Sequence, residues 1–178
     1  RVPVIEIGPG LGDITTKLLE YKGVKAFEID RDLVPRLKLR FEKELKEGSF
    51  SIVEGDVLRY WEQGTLSDKP YHLVANLPYY ISTAIILKAL DDPHCQTILV
   101  MVQKEVGEKF CASVGEKAFS SLSILTTLSG GGELLFEIPP TAFNPPPKVT
   151  SCVIRIVKNH SDPLTEELKR FLHIAFAQ

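Results

Sequence analysis

The sequence is poor in the residues that build disulfide frameworks and metal sites. Its 178 residues include three cysteines and four histidines. Cys95, Cys111 and Cys152 are widely spaced and odd in number, which argues against a disulfide framework and for a reducing compartment. There is no C-x-x-C motif and the histidines are scattered, so no zinc site and no other metal cofactor is expected.

Long apolar runs and an excess of positive charge are also missing. No apolar stretch approaches the roughly 18 residues that a membrane helix needs, and the opening residues RVPVIEIG are strand-like, unlike a signal peptide. The sequence therefore predicts a cytoplasmic monomer without a membrane partner, or an organellar or nucleolar one in a eukaryote. The net charge of −2 at pH 7 argues against a nucleic-acid role for this stretch taken alone, because nucleic-acid binders are usually basic.

Strand-like and helix-like segments alternate along the chain. Strands are predicted over 2–7, 24–30, 50–56, 71–77, 96–103, 132–138 and 150–157. Helices are predicted over 13–21, 31–46, 82–91, 104–113, 119–129 and from 164, and a polar loop over 59–69. This alternation predicts an α/β fold with a parallel sheet. The last two strands flank the proline-rich stretch PPTAFNPPPKV and predict an antiparallel hairpin at one edge of the sheet.

The glycine-rich stretch EIGPGLG (6–12) follows the first predicted strand. Glycine lets a ligand approach the backbone closely and adopts dihedral angles that other residues avoid. The spacing G-x-G-x-G, with Glu6 before it, differs from the dinucleotide pattern G-x-G-x-x-G and favours an S-adenosylmethionine (SAM) site. A plain strand-to-helix turn is the alternative that this motif alone leaves open.

Carboxylates end the second and third predicted strands. Glu28 and Asp30 lie where an acid can accept hydrogen bonds from both hydroxyls of a ribose. Asp56 can accept from an adenine amino group, while the Val57 N–H donates to the adenine ring. Ligands of open α/β sheets bind at the carboxyl edge of the strands. Three consecutive strand ends with suitable groups therefore predict one nucleotide-type site, against the alternative of solvated surface charges.

The stretch NLPY (76–79) ends the fourth predicted strand and resembles the [N/D]-x-P-[Y/F/W] motif of SAM-dependent amino-methyltransferases. The N6 lone pair of adenine is delocalised into the ring, so it is a poor nucleophile. The Asn76 side-chain oxygen and the Leu77 carbonyl could hold the two N6 hydrogens. That would favour a pyramidal nitrogen with its lone pair directed at the methyl group. Pro78 stiffens the turn, and Tyr79 can stack on the base.

The stretch FNPPPKV (143–149) displays Phe143 on a proline-stiffened loop, a good second face for a flipped base. With NLPYYIST and QKEVGEKF (103–110), it closely resembles the KsgA family of small-subunit rRNA adenine N6,N6-dimethyltransferases. The resemblance runs through essentially the whole chain. It implies a Rossmann-like SAM-dependent methyltransferase with a mostly parallel seven-stranded sheet and an antiparallel edge hairpin. It also implies a role in ribosome biogenesis, with small-subunit rRNA or the immature small ribosomal subunit as the partner.

The resemblance further implies site residues. For the cofactor they are Gly8, Gly10, Glu28, Asp56, Val57 and Asn76, and for the target adenine Asn76, Leu77, Pro78, Tyr79 and Phe143. Residues 1–160 would form the catalytic domain, and 161–178 would begin a helical C-terminal region. The family has an N-terminal segment with an N-x-x-F-L-like motif and a small C-terminal helical domain that this sequence lacks. The sequence is therefore expected to be cut at both ends, with much of the basic RNA-binding surface outside it.

Other functions stay open at this point. The erythromycin-resistance methylases, which act on large-subunit rRNA, share the glycine turn and an N-[LI]-P-Y motif. A non-catalytic RNA-binding or ribosome-assembly module could keep the same fold. An NAD-dependent oxidoreductase could share the glycine turn and the acid after the second strand, although the glycine spacing and NLPY speak against it.

Overall fold

The computed structural model describes residues 2–159, 167–168, 170–172 and 174. The strands are β1 (Val4–Ile7), β2 (Val24–Glu28), β3 (Phe50–Glu54), β4 (Tyr71–Asn76), β5 (Cys95–Gln103), β6 (Gly132–Ile138) and β7 (Ser151–Val157). The helices are α1 (Asp13–Leu19), α2 (Leu33–Arg40), α3 (Glu42–Glu47), α4 (Val57–Trp61), α5 (Ser82–Asp91), α6 (Lys104–Cys111) and α7 (Ser121–Ser129). The predicted helix from residue 164 lies largely outside the described residues.

The strands form one mixed sheet in the order β3-β2-β1-β4-β5-β7-β6. This confirms the predicted fold class, a mostly parallel seven-stranded sheet with an antiparallel edge hairpin. The chain divides into two compact units, residues 1–96 and 97–178. The domain boundary expected near residue 160 stays a prediction.

The first unit contains the parallel strands. β1 pairs in parallel with β2 and with β4, and β2 pairs in parallel with β3. All of β1 is buried, as expected for a strand at the centre of a parallel sheet. The apolar residues of one core cluster in this unit are Val4, Val24, Ala26, Leu37, Phe41 and Phe50. This unit supplies every predicted site residue except Phe143.

The prediction of a single helix over 31–46 is wrong. α2 and α3 are separate helices, and Phe41 between them has φ −112° and ψ 31°. The Phe41 ring is buried and packs on Phe50 with ring centroids 5.0 Å apart. Burying such a ring contributes about 1.5–3 kcal/mol. The Phe41 N–H still donates to the Leu37 carbonyl at 2.9 Å, so the break is a local change of dihedral angles that seats the ring.

The predicted loop over 59–69 begins too early. α4 covers Val57–Trp61 and is capped by Asp56, whose Oδ1 accepts the Leu58 N–H at 2.9 Å. Aspartate is among the preferred residues at this position. The pattern missed this helix because it is short and because its capping residue falls inside the strand predicted over 50–56.

A buried carboxylate accepts hydrogen bonds from α4, from the loop after it, from β4 and from the segment after α5. Asp92 is 2% exposed. Its donors include Trp61 Nε1–H, the hydroxyls of Thr65 and Tyr71, and the backbone N–H groups of Leu66 and His94, at 2.7 to 3.2 Å. Burial by itself would raise the pKa of Asp92, but these hydrogen bonds stabilise the charged form and hold the pKa below its usual value.

The second unit is antiparallel. β7 pairs with β5 on one side and with β6 on the other, and the β6–β7 pair confirms the predicted hairpin. α6 approaches β7 closely at Gly107, where a Cβ atom would collide with Cys152 Sγ. A glycine in the middle of a helix costs stability relative to alanine, and here the close packing of the helix against the strand explains its presence.

The cysteines are internal thiols. All three are free, Cys95 and Cys152 are buried, and Cys111 is partly buried. Burial raises the pKa of Cys111 to about 12 and the pKa of Cys152 to about 11. Within the described residues there is no group of three or more His, Cys, Asp or Glu that could hold a metal ion. No helix in that part of the chain is long and apolar enough to cross a bilayer.

Candidate functional site

The candidate site lies at one edge of the parallel sheet in the first unit. The register aligns the strand ends, because Ile7 pairs with both Phe27 and Ala75, and Phe27 pairs with Val53. The residues beyond parallel strands emerge at the same edge of the sheet. The predicted site residues at or just beyond these ends are Gly8, Glu28, Asp56 and Asn76. The structure therefore brings together the strand-end residues that the sequence singled out.

The glycine turn connects β1 to α1 with an unusual backbone. Gly8, Gly10 and Gly12 have φ angles of +66°, +60° and +89°, a region that side chains rarely permit. At Gly12 a Cβ atom would lie 2.5 Å from the Phe41 ring, so this position also lacks room for a side chain. At Gly10 no atom lies within 4 Å of the Cβ position, which leaves that side of the turn open to a ligand.

The two acids predicted at the end of the second strand differ in burial: Glu28 is the last residue of β2, and Asp30 lies beyond it. Glu28 is 4% exposed, and its two carboxyl oxygens accept the N–H groups of Gly10 at 3.3 Å and Asp30 at 2.9 Å. Asp30 is exposed and its Oδ1 accepts the Asp32 N–H at 2.8 Å. Glu28 is therefore the acid held in a fixed orientation beside the glycine turn, which suits a carboxylate that accepts from a ribose.

Asp56 borders an open cleft of about 530 Å³ at the ends of β2 and β3, and Val57 is the next residue along the chain. Asp56 Oδ1 caps α4, and no described residue donates to the other carboxyl oxygen. The Val57 N–H lies in the first turn of α4, where backbone N–H groups have no partner within the helix. This pairing of an acceptor with a donor matches the edge of an adenine ring.

The cleft also contains residues that the sequence analysis did not single out. Ile29 is 65% exposed, and Arg31 pairs with Glu54 at 3.5 Å. Tyr60 packs edge-on against Phe27, with ring centroids 5.3 Å apart. The available signal was Ile29 itself, an apolar residue between the two acids at the end of the second predicted strand. Such a residue offers an apolar face to a flat ligand.

The NLPY stretch forms a turn with buried anchors. Asn76, the last residue of β4, is exposed, whereas Leu77 is 2% exposed. The Pro78 carbonyl accepts the Ile81 N–H at 3.3 Å, and the buried Ser82 hydroxyl donates to the Tyr79 carbonyl at 3.1 Å. The Tyr79 side chain is partly accessible, at 38% relative exposure of the residue. The turn therefore presents an amide and an aromatic ring on a backbone that two hydrogen bonds and the buried Leu77 side chain hold in place.

Phe143 belongs to the second unit. It follows the 3-10 turn Pro140–Ala142, has extended backbone angles and is half-buried. Its N–H donates to the Pro140 carbonyl at 3.1 Å. The stiffness of this proline-rich loop and the role of the Phe143 ring toward a base stay predictions.

A second buried acid lies in β1, two residues before the glycine turn. Glu6 is 2% exposed, and its Oε2 accepts a hydrogen bond from the Thr15 hydroxyl at 2.6 Å. Burial raises the pKa of Glu6 to about 7; the hydrogen bond from Thr15 opposes this shift, and the charge of Glu28 adds to it. In the sequence Glu6 is recognisable only as part of the glycine motif, and its contact with α1 could not be predicted from that motif.

Solved structures that are similar to this chain include two enzymes that modify RNA or adenosine by methylation, according to their names. A dimethyladenosine transferase from Plasmodium falciparum matches with a TM-score of 0.80 and 31% identity, covering 100% of this chain and 64% of that chain. The 23S rRNA methyltransferase ErmE matches with a TM-score of 0.80 and 26% identity, covering 99% of this chain and 70% of that one. The strand order, the glycine turn and these neighbours define a Rossmann-like methyltransferase.

The sequence comparisons identify the family. Residues 1–178 match the family described as "Ribosomal RNA adenine dimethylase". Relatives named "Ribosomal RNA small subunit methyltransferase A" include those of Aliarcobacter butzleri (strain RM4018), 48% identical over 98% of this chain and 67% of that protein, and Campylobacter jejuni (strain RM1221), 49% identical over 97% and 66%. The chain belongs to the ribosomal RNA adenine dimethylase family, which confirms the resemblance. It spans about two thirds of the length of these relatives.

Proposed function

We propose that this protein transfers methyl groups from SAM to N6 of adenine in small-subunit rRNA, forming N6,N6-dimethyladenine during ribosome biogenesis. The observation that carries the proposal is the set of aligned strand ends in the first unit. A glycine turn, a fixed buried acid, an acceptor–donor pair and an exposed amide occupy neighbouring strand ends of one parallel sheet. This is the arrangement that a nucleotide-like methyl donor and a planar amine both require.

The cofactor side of the proposal fits the groups present. The Glu28 carboxylate would accept from the ribose hydroxyls, because both its oxygens are already oriented by backbone N–H groups. Asp56 and the Val57 N–H would bind the adenine edge, and the open side of Gly10 would admit the ligand close to the backbone. SAM bound here would supply a methyl carbon on a positively charged sulfur.

The amine side of the proposal depends on acceptors at the end of β4. The exposed Asn76 side-chain oxygen and the Leu77 carbonyl would accept hydrogen bonds from the two N6–H groups. Holding both hydrogens out of the ring plane localises the nitrogen lone pair, so it becomes a better nucleophile. The Leu77 side chain is buried, which fixes the backbone that carries this carbonyl. The contribution of the protein is positioning and electrostatics rather than covalent catalysis.

The names of the relatives and their sequence identity to this chain support small-subunit rRNA as the target. The Aliarcobacter butzleri and Campylobacter jejuni relatives, both named small-subunit methyltransferase A, are 48% and 49% identical to this chain, whereas ErmE, a 23S rRNA methyltransferase, is 26% identical. The partner would be an immature small ribosomal subunit, and the protein would act on it as a monomer in the cytoplasm. A large-subunit methylase and a non-catalytic assembly factor are the alternatives that an activity test would separate.

The decisive test of the proposal is methyl transfer from labelled SAM by the whole protein. Immature small subunits, mature small subunits and large-subunit rRNA would be compared as substrates. Label in N6,N6-dimethyladenine of the immature small subunit alone is the expected result. Label in large-subunit rRNA would support the alternative methylase, and binding without label would support an assembly factor.

Replacing the cofactor-side acids should weaken SAM binding. Glu28→Gln and Asp56→Asn are each expected to cost about 1–3 kcal/mol of binding free energy, as for buried polar partners that are lost. Asparagine can still cap α4, so the Asp56 variant removes an acceptor while the helix keeps its cap. Calorimetry on the whole protein would measure the affinity. Asp30→Asn is the control, since Asp30 is exposed; unchanged affinity in both test variants would remove this site.

Removing the aromatic rings should slow methylation and leave SAM affinity nearly intact. Extruding a base costs a few kcal/mol, and stacking on an aromatic ring returns roughly 1–3 kcal/mol per base. Tyr79→Ala and Phe143→Ala are therefore each expected to lower the turnover of small subunits by about tenfold or more. Tyr79→Phe should be mild, because the ring performs the stacking. Equal losses in Tyr79→Phe and Tyr79→Ala would assign the hydroxyl, and not the ring, to catalysis.

A further inference from the structure

Two hydrogen bonds between residues far apart in the sequence hold the glycine turn in place. Thr15 Oγ1 in α1 donates to Glu6 Oε2 in β1 at 2.6 Å, with both residues almost fully buried. The Gly10 N–H, in the middle of the turn, donates to Glu28 Oε2 at 3.3 Å. The first bond joins the two elements that the turn connects, and the second connects the turn to β2.

The Glu6 carboxyl takes no part in the methyl transfer described above. It lies on a strand that is buried along its whole length, and no described residue donates to its Oε1. An acid at such a position costs stability when it is charged. Burying this acid lowers the stability of the fold, yet its hydrogen bond to Thr15 joins the two ends of the cofactor turn. Glu6 is therefore a candidate for a positioning role.

We propose that Glu6 and Thr15 are positioning residues for the methyl donor, and that their buried hydrogen bond holds the glycine turn in the shape that receives the cofactor. The inference rests on the proposed function, because it assigns SAM to this turn. Glu6 and Thr15 act through the backbone of residues 8–12 and are not catalytic residues.

The conformational freedom of the turn is the physical reason. Three glycines with positive φ lie between Glu6 and Thr15, and glycine loses more conformational entropy on ordering than any other residue. A turn that is not fastened would have to be ordered at the moment of binding, and that cost would reduce the affinity for the cofactor. The acceptors at the end of β4 lie on another strand, so the methyl-transfer step itself should change little.

The turn keeps other supports when this one bond is lost. The Gly8 N–H donates to the Phe27 carbonyl at 2.9 Å, and Arg40 pairs with Asp13 of α1 at 3.0 Å. The fold should therefore survive the substitution Thr15→Val, which keeps the shape of the side chain and deletes the hydroxyl. Thr15→Ser keeps the donor, and Glu6→Gln keeps an acceptor in an uncharged group of the same size.

The experiment compares these variants in the whole protein, with labelled SAM and immature small subunits. Thr15→Val is expected to raise KM for SAM about tenfold, the scale of one buried hydrogen bond, with kcat changed less than about twofold. Thr15→Ser, which keeps the donor, and Glu6→Gln, which keeps an acceptor, are expected to stay within about twofold of the wild type. Thr126→Val is the matched control, because its buried hydroxyl bonds to the Leu122 carbonyl within α7; its KM for SAM should be unchanged.

The outcomes separate the inference from the proposed function. If the wild-type protein binds no SAM, the proposed function fails and the inference fails with it. If the wild type binds SAM but Thr15→Val has a normal KM, the inference alone is overturned. Equal increases in KM for Thr15→Val and Thr126→Val would also overturn it, since they would reflect general destabilisation. A raised KM for SAM in Thr15→Val together with a near-normal KM in Thr15→Ser would support the inference.

Discussion

Asn76→Ala is expected to slow methyl transfer by on the order of a hundredfold, the scale of losing one positioned group in an oxyanion hole. The substitution deletes one of the two acceptors proposed for the N6 hydrogens, so the amine would return to its planar, weakly nucleophilic form. Asn76 is exposed at the end of β4, and its loss should leave the fold intact. A single-turnover assay with labelled SAM and immature small subunits would measure the rate.

The affinity for SAM should change much less than the rate in Asn76→Ala. Calorimetry on the same protein provides this comparison and separates a role toward the amine from a role toward the cofactor. Asn76→Asp is the matched variant, because a carboxylate of the same shape keeps an acceptor; it should retain more activity than Asn76→Ala. Near-normal turnover in Asn76→Ala would contradict the proposed mechanism. An equal loss of SAM affinity would place Asn76 in the cofactor site alone.

Asp92→Asn is expected to lower the free energy of unfolding by about 3–5 kcal/mol, the range for breaking a buried charged network. The amide turns one acceptor into a donor that would face other donors, among them Trp61 Nε1–H and the Tyr71 hydroxyl. Urea denaturation would measure the loss as a lower midpoint, with the m-value, the slope of the unfolding free energy against urea concentration, unchanged. Asp68→Asn makes the same change at an exposed position and should be nearly neutral; equal stability of the two variants would contradict the role of the network.

The pH dependence of stability provides a second test of Asp92. Its native pKa lies below the usual value of 3.8, so its charged form stabilises the fold. This stabilisation is fully present above pH 3.8 and is lost as the pH falls through the lower native pKa. The stability difference between the wild type and Asp92→Asn should therefore be constant at neutral pH and should narrow in acid.

The helices and strands predicted correctly are those whose signal is local. α5 lies over residues 82–91, as predicted, and the strands differ from their predicted bounds by at most two residues at each end. The break at Phe41 could not be predicted, because it depends on a ring that packs on Phe50 from another element. The start of α4 was missed because a strand period and a capping acid overlap at Asp56.

The family, the α/β fold and the strand-end positions of Gly8, Glu28, Asp56 and Asn76 were all predictable from the sequence alone. The strand-end positions were predictable because residues beyond parallel strands share one edge, whatever the details of packing. Three features became clear only in the folded structure: that Glu28 and not Asp30 is buried, that Asp56 caps a helix, and that Glu6 accepts a hydrogen bond from Thr15 across the glycine turn. Those contacts depend on register and burial between separate elements. Periodicity along the chain reports the face on which a residue lies and carries no information about the residue it meets there.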